Sequence, residues 1–279
     1  MQFRLADLRV MLMGIVLSVL ALCGCASDPL VRIAERSALT DETVSGSPFL
    51  HRVLSGEGDK RGSNLHVYLA GDGVPWRSGH RVSVDPSPRN PIMLKMMALD
   101  EKSRVYVGRP CYHQVKDPRC VPALWTDSRY SEEVVASMDA VISRYADSFQ
   151  GIVLFGHSGG ATLAMLLASK RDDVVAVVTI AGNLDIEGWT KFHQFDRLNN
   201  SLNPVLQKPL SVSVVQHHYI GSEDSVIPRS VHREAVEYQY QISPILVPGY
   251  DHNCCWEDRW PQILRELDES LKSPSDNRQ

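Results

Sequence analysis

Hydrophobic residues recur in short runs along this chain, and segments with helical spacing alternate with most of them. Leu65–Leu69, Arg104–Val107, Ile152–Phe155, Val174–Ile180, Val212–Ile220 and Ile245–Val247 are short, apolar and rich in β-branched residues. Such runs read as strands buried on both faces. Between them, Val134, Val135, Met138, Val141, Ile142 and Tyr145 fall three and four residues apart, and Ser131 stands where an N-cap belongs. That spacing predicts a helix over 131–148. Further helices are expected over 91–99, with proline in the first turn, from Ala161 onward, near 229–238 and over 260–271. His51–Ser55 and Leu65–Leu69, joined by the polar loop 56–64, are expected to form an antiparallel hairpin at a sheet edge. Strands alternating with helices predict an α/β domain with a mostly parallel sheet covered on both faces.

One junction in this pattern carries chemistry. Ile152–Phe155 runs into Gly156-His157-Ser158-Gly159-Gly160 and then into an Ala/Leu-rich helix. A G-x-S-x-G between a strand and a helix reads as a nucleophile elbow: the serine sits on a strained turn with its hydroxyl exposed. The small flanking residues let strand and helix approach closely. A serine needs a base before it is nucleophilic. His252 follows the run 245–247, and Asp224 follows 212–220, so both fall just past strand ends, where open α/β sheets form their ligand sites. Asp185, after Val174–Ile180, and Glu223 are competing acids.

The elbow, the chain order Ser158, Asp224, His252 and the strand–helix alternation resemble the α/β-hydrolase superfamily of serine hydrolases, over roughly residues 51–271. The resemblance implies an α/β-hydrolase fold with Ser158 as nucleophile, His252 as base and Asp224 as the residue that orients it. It also implies an oxyanion hole built from the backbone N–H of Gly159 and that of Asp72 or Gly73. The family's usual His-Gly is replaced here by Ala70-Gly71-Asp72-Gly73. A carboxylate at 72 would repel an oxyanion unless turned away or paired with a cation such as Arg77 or Arg109. The implied activity is hydrolysis of an acyl bond, an ester above all, through an acyl-enzyme. A peptidase or thioesterase would use the same residues, and a non-catalytic envelope lipoprotein could keep the fold for binding. No metal or organic cofactor is called for.

Composition narrows the setting. The chain has 279 residues, 43% of them hydrophobic, and 22% charged residues that are well mixed, with a net charge of −4. This suits one sizeable core and gives no sign of nucleic-acid binding, while the resemblance implies a small-molecule or lipid acyl substrate. Arg4 and Arg9 precede the apolar stretch 10–22, which is 13 residues long and shorter than the ~20 of a membrane-spanning helix. It fits a secretory signal. Leu22-Cys23-Gly24-Cys25 resembles a bacterial lipobox, which implies cleavage after residue 24 and acylation of Cys25, and Ala26 after it points to the outer membrane facing the periplasm. The expected organisation is a signal peptide at 1–24, a tether at 25–47 with a helical turn at 30–36, a hydrolase domain at 48–271 and a disordered tail at 272–279. Cys111, Cys120, Cys254 and Cys255 remain, an even number in an exported chain, which suggests disulfides. A local Cys111–Cys120 bridge is expected, although four cysteines allow three pairings. Two insertions, 109–130 and 183–210, flank the expected site, and the second carries Trp189, Phe192, His193 and Phe195.

Overall fold

The computed structural model describes residues 28–58 and 64–272. The expected signal peptide, Cys25 and residues 273–279 lie outside the described residues. Eight strands form one sheet in the order β1-β2-β6-β3-β7-β8-β9-β10. These are β1 (Thr40–Ser45), β2 (Leu50–Gly56), β3 (Leu65–Leu69), β6 (Arg104–Val107), β7 (Ile152–His157), β8 (Val174–Ile180), β9 (Val215–Gly221) and β10 (Ile245–Val247); a two-stranded ribbon joins β4 (Trp76–Arg77) to β5 (Arg81–Val82). From β6 to β10 in that order every pairing is parallel; β2 pairs antiparallel with both β1 and β6, so β2 alone in this sheet runs against the others.

Side-chain alternation along the strands divides the core in two. Val67, Leu69, Val105, Val107, Ile152 and Leu154 face one side, with α3 (Glu132–Ala146) and α4 (Gly159–Ala168). Tyr68, Tyr106, Val153 and Phe155 face the other, with α1 (Pro29–Arg36), α2 (Ile92–Met97) and α7 (Trp256–Lys272). This is the period-two pattern of a sheet with both faces covered. Ser131 caps α3 as expected, its side chain accepting from Val134 N, and α5 (Ile186–His193) and α6 (Arg229–Glu234) follow β8 and β9.

Three expectations are corrected. Residues 25–47 are not simply a tether: α1 packs Leu30 and Ala34 into the core, and β1 pairs along its whole length with β2. The polar sequence Thr40–Ser45 hides this role because an edge strand needs backbone partners more than apolar side chains; its burial is confined to Val44. The antiparallel hairpin at the sheet edge is therefore β1–β2. Strand β2 does not pair with β3, because β6 lies between them. Finally, α7 begins at Trp256 rather than at 260. Pro261 removes only one helical hydrogen bond near the start, and full burial of Trp256 and Trp260 holds the preceding turn.

Burial also sets a pH limit. His51, His113, His157 and His232 are pushed down to about 4, and His218 to about 3, in each case first by burial. Below the ordinary histidine value of ~6.5 the unfolded chain takes up protons that the folded chain refuses. Stability is thus complete above ~6.5 and is lost as pH falls toward ~4. All five histidines act in the same direction, so their effects on the folded state accumulate as the pH falls. Circular dichroism during acid titration is expected to show cooperative unfolding with a midpoint above pH ~4. A protein still native at pH ~3 would contradict this accounting.

Candidate active site

The parallel strands deliver their C-terminal ends to one edge of the sheet, and the chemistry-bearing residues follow from that. Strand β7 ends at His157, and Ser158 then takes φ 54° and ψ −121°. A positive φ is strained for serine and persists only where the surroundings enforce it. Here Ser158 N donates to Ile180 O on β8 (3.0 Å), and Ser158 O accepts from Asn183 N (3.2 Å). Glycine is required on both sides: a Cβ on Gly156 would strike the backbone of Gly160 and Ala161, and one on Gly160 would strike Leu69 O. Helix α4 starts immediately, so the Gly159 N–H belongs to the first turn, which has no carbonyl one turn behind it.

The candidate acid and the candidate base meet from two further strand ends. Asp224, past β9, lies with its Oδ2 3.0 Å from His252 Nδ1, past β10. Its other oxygen accepts from Val226 N (2.9 Å) and Ile227 N (2.8 Å), which fixes the carboxylate. With Nδ1 engaged, Nε2 is left for the cavity that His252 and Ser158 both line. The competing acids are elsewhere. Asp185 caps α5 (Ile186–His193), accepting from Glu187 N and Gly188 N and from Asn203 Nδ2 (2.8 Å), and Glu223 is exposed.

The loop after β3 stands directly against the elbow: a Cβ on Gly71 would lie 3.2 Å from Ser158 Cβ. The Asp72 carboxylate is heavily bound. Arg109 Nη1 donates to Oδ1, Arg129 Nη1 donates to Oδ2 (2.9 Å), and the Tyr130 hydroxyl bonds both oxygens (2.7 and 2.6 Å). Tyr112 donates to the Asp72 carbonyl (3.0 Å). Burial alone would raise this carboxyl; Arg129 and Arg109 outweigh it and hold the group at about 2. Arg109, named as a possible partner from sequence, is one; the exposed Arg77 is not among them. Every one of these clamping side chains comes from the 109–130 insertion, which the Cys111–Cys120 bridge ties together with its Cα atoms 5.5 Å apart. Cys254 and Cys255 are joined to each other, two residues beyond His252.

Several site residues were passed over in the sequence. His157 is the variable residue of the elbow motif, where attention falls on its serine. Its Nε2 bonds the His252 carbonyl (2.7 Å), its ring lies 4.9 Å from the His252 ring, and burial followed by the nearby His252 lowers it to about 4. It is therefore neutral near pH 7, so Nε2–H donates to that carbonyl. Arg129 and Tyr130 were also missed, because nothing local in the sequence pairs them with a residue near position 72. The cavity above Ser158 measures about 1110 Å³, and its apolar lining includes Trp76, Met93, Trp189, Phe195, Leu198 and Ile227. The apolar side chains of the 183–210 insertion are divided as a result: Trp189 and Phe195 line the cavity, Leu202 packs on the core, and Leu198 does both.

No family model and no curated protein matches this chain. Solved structures do, at low identity. A membrane phospholipase A described as a bacterial virulence factor is 12% identical, with a TM-score of 0.58 over 96% of this chain and 99% of that one. An esterase of Pyrococcus furiosus is 11% identical, with a TM-score of 0.55 over 86% and 94%. The acylaminoacyl peptidase of Pyrococcus horikoshii is 12% identical, with a TM-score of 0.60 over 84% of this chain and 42% of that one. Taken with the eight-stranded, mostly parallel sheet and its covering helices, these likenesses establish that the chain has the α/β-hydrolase fold.

Proposed function

We propose that this protein hydrolyses acyl esters through Ser158, His252 and Asp224. The observation that carries the reading is the strained Ser158 beneath an apolar cavity that also holds His252, itself bonded to a fixed Asp224. In the first half-reaction Ser158 Oγ attacks the ester carbonyl carbon while His252 Nε2 takes its proton. Asp224 holds the tautomer and stabilises the imidazolium. The tetrahedral oxyanion is received by the N–H of Gly159 and that of Asp72 or Gly73. Two guanidiniums against one carboxylate leave net positive charge beside that loop, which favours the developing negative charge. Collapse expels the alkoxide with the proton from His252. Water then attacks the acyl-Ser158 ester by the same route and releases the carboxylic acid.

The cavity's apolar lining favours an aliphatic or lipid acyl group over a polar peptide. A fluorophosphonate probe is expected to label the native protein on the peptide containing Ser158, and activity on a panel of esters is expected to rise with acyl length before it falls. An unlabelled, inactive protein would leave only a binding role for the fold.

We further propose that this activity sits at the bacterial cell envelope, anchored through Cys25 on the periplasmic side of the outer membrane with residues 1–24 removed; the lipobox-like Leu22-Cys23-Gly24-Cys25 supports that reading. Removing them changes the net charge from −4 to −5. Mass spectrometry of the mature protein is expected to find acyl chains on Cys25, and a free amino terminus at Ala26 would refute the anchor.

A further inference from the structure

Exposed aromatic surface is concentrated at the cavity mouth and, at Phe192, just beside it. Phe192 is 57% exposed, Phe195 54% and Trp76 43%, and Trp189 is partly exposed beside them. They are ordered rather than loose. Trp189 packs edge-on against Phe195 (5.3 Å) and His193 (5.7 Å), and His193 stacks on Phe195. Trp189 Nε1 and His193 Nε2 both bond Val226 O at 2.9 Å, which pins α5 to the loop after Asp224. Exposed aromatic patches rimmed by polar groups mark interaction sites. Arg89 lines the mouth and is exposed, and Arg77 and Lys191, the sequence neighbours of Trp76 and Phe192, are exposed as well; of the nearby acids, Glu187 is paired with Arg197 (3.2 Å), Asp127 accepts from Asn200, and Asp196 is exposed.

The acylation proposed for Cys25 brings a lipid surface to this edge of the fold, and the docking rests on that reading. Asp28 caps α1 and pairs with Arg52 at 2.6 Å. Gly108 N bonds Arg52 O (2.9 Å), Val107 is in register with Leu69, and Leu69 with Gly156. Arg52 is therefore level with His157, one residue before Ser158, three strands away across the sheet. At ~4.8 Å per strand that is roughly 15 Å sideways. Three residue steps separate Asp28 from Cys25, a reach of about 10 Å at most. An acyl group on Cys25 would thus enter a bilayer from the same edge of the sheet that opens the cavity.

We infer that the rim formed by Trp76, Trp189, Phe192 and Phe195 docks on a phospholipid surface, with its aromatics at the interfacial depth and its cations toward anionic headgroups. The cavity mouth then faces the lipid. Direct entry of substrate from that surface rests on the hydrolase reading; the docking does not, and it can be read without turnover.

The test uses the full protein with phosphatidylglycerol/phosphatidylethanolamine vesicles that carry brominated acyl chains, which quench tryptophan on contact. Trp125, Trp256 and Trp260 are buried, so quenching reports Trp76 and Trp189. Quenching is expected, and is expected to vanish in the Trp76→Phe/Trp189→Phe double variant. Phe192 does not line the cavity, so Phe192→Glu is expected to lose most of the quenching while hydrolysis of a water-soluble short-chain ester stays unchanged. Absent quenching, or quenching untouched by Phe192→Glu, overturns the inference. A dimer in solution that Phe192→Glu dissociates would assign the rim to a second copy of the chain and overturn it equally.

Discussion

Ser158→Ala is expected to abolish ester hydrolysis and probe labelling while leaving the fold intact. Loss of the nucleophile alone in a serine protease lowers kcat by about 2 × 10⁶, and a reduction of that order is expected here. The physical reason is that His252 has nothing to deprotonate except water, which is not held over the carbonyl. Stability should change little. Alanine at 158 must still adopt φ 54°, and the bonds that enforce that conformation are made by the backbone, to Ile180 and Asn183. Unchanged thermal unfolding with lost turnover is therefore the expected pair of results. Retained turnover in purified Ser158→Ala would sink the assignment.

The second large effect separates the acids. Asp224→Asn is expected to lower kcat by about 10⁴ with little change in KM, as the equivalent carboxylate-to-amide change does in a serine protease. An amide at this position still accepts from Val226 N and Ile227 N through its oxygen, which turns its NH₂ toward His252 Nδ1. The imidazole must then accept at Nδ1 and carry its proton on Nε2, the wrong tautomer for a base. Asp185→Asn should leave kcat nearly unchanged, because Asp185 caps α5 and asparagine caps about as well. Glu223→Gln should be neutral, since that side chain is exposed. A severe kcat loss confined to Asp185→Asn would move the role to Asp185.

Much of this layout is legible in the sequence because it depends on local signals. The strand at 152–157, the glycines around Ser158 and the Ala/Leu helix are contiguous, so backbone strain and packing demand announce themselves within a dozen residues. Asp224 and His252 are legible for a related reason: each follows its own apolar run, and parallel strands carry their C-terminal ends to one edge. The alternatives Asp185 and Glu223 satisfy the same rule, and the rule cannot rank them. Their ranking needs the α5 cap and the direction of the Asp224 side chain, which exist only once the chain is folded.

By itself the sequence determined the α/β alternation, the elbow, the order of the three chemical residues and the expectation of a Cys111–Cys120 bridge. Tertiary structure decided three further matters. It placed β6 between β2 and β3, because strand order is chosen by long-range packing of both faces. It drew 29–45 into the fold, because an edge strand is held by backbone hydrogen bonds that polar side chains do not reveal. It also paired the Asp72 carboxylate that stands in the loop beside Ser158. Arg109, Arg129 and Tyr130 lie 37, 57 and 58 residues from Asp72 along the chain, and only the folded 109–130 insertion brings them within hydrogen-bond reach of it. Charge pairing acts through space over a few ångströms, so a linear reading could see the problem that Asp72 poses and not the clamp that answers it.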